Sequence, residues 1–174
     1  MIAPVFVDAN VFVYGIDAGA GRKHLLAAEW IGRLWSERLG RTSIQVLSEY
    51  YVTVTRKLRP AIAAEEAWRD VNALMAWKPQ AIDGVLLQHA REVERRHRLS
   101  WWDAMIVAAA QLQDCALLLT EDLHDGGAYG SVTVRSPFTL SVEASRAAYT
   151  VAPRAEAYRS RGRPRKAEQS VQRR

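Results

Sequence analysis

The chain has 174 residues, a formal net charge of +5, 49% hydrophobic and 25% charged residues. These are globular proportions for one domain large enough to bury a core, and they exclude a wholly disordered chain. A single cysteine, Cys115, excludes an internal disulfide framework and a cysteine-rich zinc site, and no apolar run reaches the eighteen or so residues of a membrane span.

Pro4-Val5-Phe6-Val7, closed by Asp8, reads as a short buried strand. The N-terminal stretch has no basic n-region and carries an acid at position 8, which makes a poor signal peptide. A soluble cytoplasmic protein with no membrane association is therefore expected. A helix is predicted over about 22–39, with Ala27, Ile31, Leu34 and Trp35 on one face and Gly40 placed to end it. A brief strand at Arg41–Ser43 leads into a helix with the stripe Leu47, Tyr51, Val54 and Leu58, opened by the capping box Thr42-x-x-Gln45.

Pro60 stops that helix, Ala63–Trp77 reads as another, and Pro79–Ile82 as a third strand. Asp83 caps a helix running to about Arg98. Ser100 opens Trp101–Asp114, whose interior Ala104–Ala110 is apolar on every side, as in a buried helix. Ala116–Leu119 is a strong buried strand, and Val132–Val134 a weaker one after the glycine-rich turn Asp125–Gly130. Val142–Tyr149 reads as one more short helix. Short strands alternating with helices argue for an α/β fold, a parallel sheet with helices on both faces.

In such a sheet ligands bind beyond the carboxyl ends of the strands. Asp8 follows the first strand and Asp122 the Leu119 strand end; Asp103 enters the apolar helix, and Glu49 lies early in the helix after the second strand. Each alone has a plain reading: Asp8 as a cap, Asp103 as half of the capping box Ser100-x-x-Asp103, Glu49 as a solvated residue opposite the apolar stripe, Asp122 as turn chemistry. Four carboxylates converging on one pocket repel, and raised pKa values or a cation must relieve that. Hard oxygen ligands without a Cys or His set point to Mg²⁺ or Mn²⁺ rather than zinc.

Four blocks then carry a family resemblance. Val5-Phe6-Val7-Asp8-Ala9-Asn10-Val11, Ser43-Ile44-Gln45-Val46-Leu47-Ser48-Glu49, Trp102–Ala110 and Leu118-Leu119-Thr120-Glu121-Asp122-Leu123 resemble, in order, the motifs of PIN-domain nucleases. Val132-Thr133-Val134 with Pro137-Phe138 is similar to their closing strand, and size and pattern look most like the VapC-type toxins of bacterial toxin–antitoxin pairs. The resemblance implies a three-layer α/β/α domain over 1–138 with a central, mainly parallel sheet. It also implies a metal-dependent ribonuclease held inactive by a small antitoxin protein. Carried over, Asp8, Glu49, Asp103 and Asp122 are the catalytic metal-site acids, with Asn10, Ser43 and Thr120 as polar supports. The fourth block continues as Leu123-His124-Asp125-Gly126, so Glu121 and Asp125 stand as alternatives to Asp122.

Residues 139–153 read as a short helix or linker and 154–174 as a disordered basic tail. The tail holds eight Arg/Lys and two Glu, whereas residues 1–153 carry a net charge of −1. Its Arg161-Gly162-Arg163-Pro164-Arg165-Lys166 is similar to the AT-hook, a minor-groove DNA contact; the favoured plainer reading is a solubilising polybasic end. If the tail contacts the phosphates of RNA or DNA, deleting 154–174 flattens the salt dependence of binding, and identical slopes with and without it reject the contact. The exposed share of Trp30, Trp35, Tyr50 and Tyr51 would suit a homodimer face or an antitoxin groove. Two alternatives stand beside the nuclease. One is an inactive PIN scaffold binding nucleic acid through its tail. The other is a haloacid-dehalogenase-type phosphatase, disfavoured because that family wants Asp-x-Asp and this chain has Asp8-Ala9-Asn10.

Overall fold

The computed structural model describes residues 3–141. Its centre is a five-stranded sheet of order β2-β1-β3-β5-β4. Strand β1 (Val5–Val7) lies parallel to β2 (Gly40–Arg41) on one side and to β3 (Leu117–Leu119) on the other. Strand β5 (Val132–Arg135) continues parallel to β3, and β4 (Ala128–Tyr129) closes the edge antiparallel to β5. Every residue of β1 and β3 is buried, which a parallel sheet requires when helices cover both faces.

Helices α1 (Ala9–Ile16), α2 (Arg22–Glu37), α3 (Ile44–Val52) and α4 (Ala64–Leu74) pack on one another. Helices α5 (Gly84–His97) and α6 (Trp101–Leu112) form a second pair, with α6 against β3 and β5. The apolar interior of α6, Ala104–Ala110, is buried throughout, as its composition predicts.

Local details depart from the expected pattern for identifiable reasons. Helix α1 has no counterpart there, because Ala-Asn-Val-Phe-Val-Tyr-Gly-Ile is rich in β-branched and aromatic residues. The Asp8 carboxylate accepts the Ala9 N–H (2.7 Å) and turns the chain from strand to helix without a loop. Helix α3 is capped by Ser43, which accepts the Val46 N–H, while Thr42 donates its hydroxyl to the Val7 carbonyl. Beyond Val52 the helix widens into a π turn over Thr53–Lys57, and the buried face of the segment is Val46, Leu47, Tyr50 and Val54 rather than the expected stripe. Pro79–Ile82 forms no strand; it supplies a single bridge from Gln80 to Ser43. Among the described residues no helix is long and apolar enough to cross a membrane. The Val142–Tyr149 helix and the 154–174 tail lie outside the described residues.

Gly40 does not end α2. Arg38 does, in the left-handed conformation (φ 57°), its N–H reaching the Leu34 and Trp35 carbonyls. Gly40 instead lies in β2 beneath Trp77, where a Cβ would meet three ring atoms at 2.5 Å. Trp77 is itself buried against Phe12 and cannot yield. Gly40→Ala is therefore expected to destabilise the fold by about 1–3 kcal/mol through overpacking. Gly32→Ala, on the exposed face of α2 with nothing near its would-be Cβ, should gain about 0.5–1 kcal/mol. Thermal melts of the two variants check the pair; equal midpoints would reject the Trp77 contact as the reason for Gly40.

Candidate active site at the carboxyl edge of the sheet

The pairing Val7↔Leu119 puts the next residues of β1 and β3, Asp8 and Thr120, side by side where the two strands end. The Asp8 N–H donates to the Leu119 carbonyl (3.1 Å) and the Thr120 N–H to the Arg135 carbonyl (3.2 Å), fixing both backbones. Thr120 donates its hydroxyl to Asp8 Oδ2 (2.8 Å) and accepts the Asp122 N–H (3.1 Å). From the first turn of α1, Asn10 Nδ2 reaches Asp8 Oδ2 (3.3 Å), Thr120 Oγ1 (2.9 Å) and Asp122 Oδ2 (2.8 Å). Asp8, Asn10, Thr120 and Asp122 thus form one connected polar cluster from two strand ends and the helix start between them.

Asp8 is buried, and its carboxyl is pushed up to about 6. Burial is the main cause; the Thr120 and Ala9 hydrogen bonds oppose it, and the charges of Glu49 and Asp122 push further the same way. Glu49 is exposed on α3, as expected of a residue off the apolar stripe, yet it acts on Asp8. Asp103, in the first turn of α6, has its Oδ2 held by the Ser100 hydroxyl (2.6 Å). The starts of α3 and α6 meet where Gln45 Nε2 donates to the Trp102 carbonyl (3.4 Å). Ser43 is buried and spent on its cap.

The two alternatives for the fourth acid are engaged elsewhere. Glu121 accepts from the Tyr14 hydroxyl and from Lys23 Nζ, each at 2.5 Å, with the ammonium 4.7 Å from the Tyr14 ring centre and 5.0 Å from that of Phe138. Asp125 accepts from Arg135 Nε (2.9 Å), the Ser136 N–H (3.0 Å) and the Thr139 hydroxyl (2.8 Å), locking the loop after β3 to the chain after β5. Burial alone would raise the Asp125 carboxyl, but these three donors outweigh it and hold the group below its usual range. Sequence pattern does not single out Tyr14 or Lys23; their partner lies about a hundred residues away, and nothing local marks them.

Among the described residues no three of the acids already form a closed metal-ligand group. The donors present nonetheless suit a hard divalent cation. They are oxygens, one is a buried carboxylate pressed by two others, and Asn10 Oδ1 is buried in the same cluster without a hydrogen-bond partner. A buried amide oxygen left unpaired costs about 1–3 kcal/mol, which a cation would relieve.

The profile of the PIN domain family matches residues 5–124. No curated protein matches the chain in sequence. Similar solved structures include a toxin–antitoxin complex from Klebsiella pneumoniae, 21% identical with a TM-score of 0.54, covering 78% of this chain and 98% of that one. Another is the sarcin–ricin loop cleaving toxin VapC20 of Mycobacterium tuberculosis, 23% identical with a TM-score of 0.53, covering 74% and 98%. A third is VapBC2 from Rickettsia felis bound to a DNA fragment from its promoter, 12% identical with a TM-score of 0.52, covering 76% and 97%. At these identities the likeness is one of fold.

Proposed function

The chain belongs to the PIN domain family, and from that premise we propose that it is a Mg²⁺- or Mn²⁺-dependent endoribonuclease, the toxin of a toxin–antitoxin pair. The observation that carries this reading is the buried Asp8 carboxylate, raised to about 6 beside Glu49 and Asp122, with an orphaned amide oxygen in the same cluster. Burying one carboxylate where two others repel it is costly and gains the fold nothing that an apolar side chain would not. A bound cation gives it a purpose.

Asp8, Asp122 and Asn10 Oδ1 would hold the ion, with Glu49 and Asp103 completing the set. When bound, the ion supplies charge stabilisation at a scissile phosphate and lowers the pKa of an attacking water. Thr120 and Asn10 fix Asp8 Oδ2 so that the carboxylate keeps one orientation. Glu49, exposed at the mouth, is the carboxylate placed to accept a proton from water arriving from solvent. A small antitoxin protein as inhibitor belongs to the same reading, supported by the toxin–antitoxin assemblies among the structures of like fold; a homodimer and a cytoplasmic location are proposed with it.

The test is cleavage of single-stranded RNA by the full chain. EDTA is expected to abolish it, and added Mg²⁺ or Mn²⁺ to restore it. Cleavage that persists in EDTA would overturn the metal assignment, and no cleavage with either metal would favour the inactive scaffold.

A further inference from the structure

A second cleft, of about 330 Å³, lies at the β2 edge of the sheet, lined chiefly by Trp35, Arg38, Gly40, Arg41, Trp77 and Lys78. Its volume is at the lower end for small-ligand sites, roughly 300–1,000 Å³. Its charge is one-sided. No acid lines it, and among the described residues none of its three cations joins an ion pair. Arg41 Nη1 donates only to its own neighbour, the Gly40 carbonyl (2.8 Å). Asp114 and Arg41 both act on the buried Cys115 thiol, but Asp114 does not line the cleft. Three cations around one opening with no acid in its lining make the cleft a positively charged patch.

Arg38 ends α2 and Lys78 ends the 3-10 turn Met75–Trp77, both in left-handed backbone. Helix dipoles account for a cation at each such end. They do not account for the aromatic wall. Trp77 lies buried over Gly40, and Trp35 leans on it with ring centres 5.4 Å apart and a 57° tilt, leaving Trp35 38% exposed. A braced, half-exposed indole beside three cations is the combination that binds single-stranded nucleic acid, with a base on the ring and phosphates on the charges.

Gly40 pairs with Val5 at the start of β1, and Arg38 and Lys78 precede the paired residues, so the cleft lies at the amino edge of the sheet, at the opposite end of β1 from Asp8. We propose that the Trp35–Arg38–Arg41–Lys78 cleft is a second RNA-contact site. It holds a single-stranded flank of the substrate at the amino edge of the sheet, remote from the scissile phosphate, one base stacked on Trp35. The proposal rests on the ribonuclease reading for its ligand.

The test is binding of a labelled twelve-nucleotide RNA to the full chain in EDTA, measured by anisotropy across a salt series. Arg38→Gln/Lys78→Gln changes two exposed side chains and should weaken binding at least tenfold. Its log K against log salt slope should be shallower by about 1.4, at about 0.7 for each phosphate no longer neutralised. Trp35→Leu should weaken binding about fivefold with the slope retained, and an abasic strand should not distinguish it from wild type. Wild-type affinity and slope in the double variant, at an unchanged melting temperature, would overturn the site. Equal competition by polyglutamate, with Trp35→Leu binding as wild type, would overturn it as well, leaving a general polyanion surface. A chain that binds in the expected way but leaves RNA uncut with Mg²⁺ overturns the ribonuclease reading and not the cleft.

Discussion

Asp8→Asn is expected to cripple RNA cleavage, lowering the rate by about 10²–10³-fold at saturating Mg²⁺, in the range for losing one preorganised electrostatic group. The reason lies in the atoms around the carboxylate. An asparagine can still accept the Ala9 N–H through one oxygen, so α1 keeps its start. Its amide nitrogen, however, falls where Thr120 Oγ1 and Asn10 Nδ2 now donate to Asp8 Oδ2, and donor faces donor. The negative charge that would hold a cation is gone too. Asp103→Asn should act in the same direction, because Asp103 already shares one oxygen with the Ser100 hydroxyl and its charge is what it can offer a cation. Circular dichroism and melting temperature separate loss of chemistry from loss of fold. Unchanged cleavage by either variant would overturn the assignment of these acids.

In EDTA, wild-type stability should fall as pH rises from about 4 to about 7. Asp8 has a folded pKa of about 6 against an ordinary 3.8, so within that window the native state binds more protons than the unfolded chain. Stability then decreases with pH, by about 3 kcal/mol in all at roughly 1.4 kcal/mol per unit, and the penalty is complete above the folded value. Asp125 has the opposite sign. Its lowered pKa contributes stability above the ordinary carboxylate range that is lost as pH falls through the folded value, so it does not offset the Asp8 slope between 4 and 7. Urea titrations of wild type and Asp8→Asn at pH 4.5 and 7 measure the difference; the variant should lack the Asp8 share of the slope. Mg²⁺ at pH 7 should raise the wild-type midpoint and leave that of Asp8→Asn nearly unmoved. A wild type equally stable at both pH values without metal would show that the Asp8 charge carries no such burden.

Much of the architecture was legible because it depends on local composition. Val5–Val7 and Leu117–Leu119 are apolar runs of strand length that must be buried, and Ala104–Ala110 has no polar side to show solvent. Short strands divided by helices then made a parallel sheet the simplest arrangement. What local pattern misread were positions whose conformation is set by a distant partner. Gly40 looks like a helix terminator and is instead a floor for Trp77. Pro79–Ile82 looks like a strand and pairs at one residue. Residues 9–16 carry no legible helix pattern in the sequence and become helical where the Asp8 side chain captures the first N–H.

The candidate site divides in the same way. The sequence by itself determined which acids stand at strand ends and helix starts, since side-chain type and element order are local properties. Tertiary structure alone decided how Asp122, Glu121 and Asp125 differ. Three carboxylates within five residues are indistinguishable in one dimension. In three, Asn10 from α1 reaches Asp122, Lys23 and Tyr14 hold Glu121, and the chain after β5 engages Asp125. Each of those partners lies between 11 and 112 residues away along the chain. A hydrogen bond depends on proximity in space, and the folded backbone alone brings those partners together.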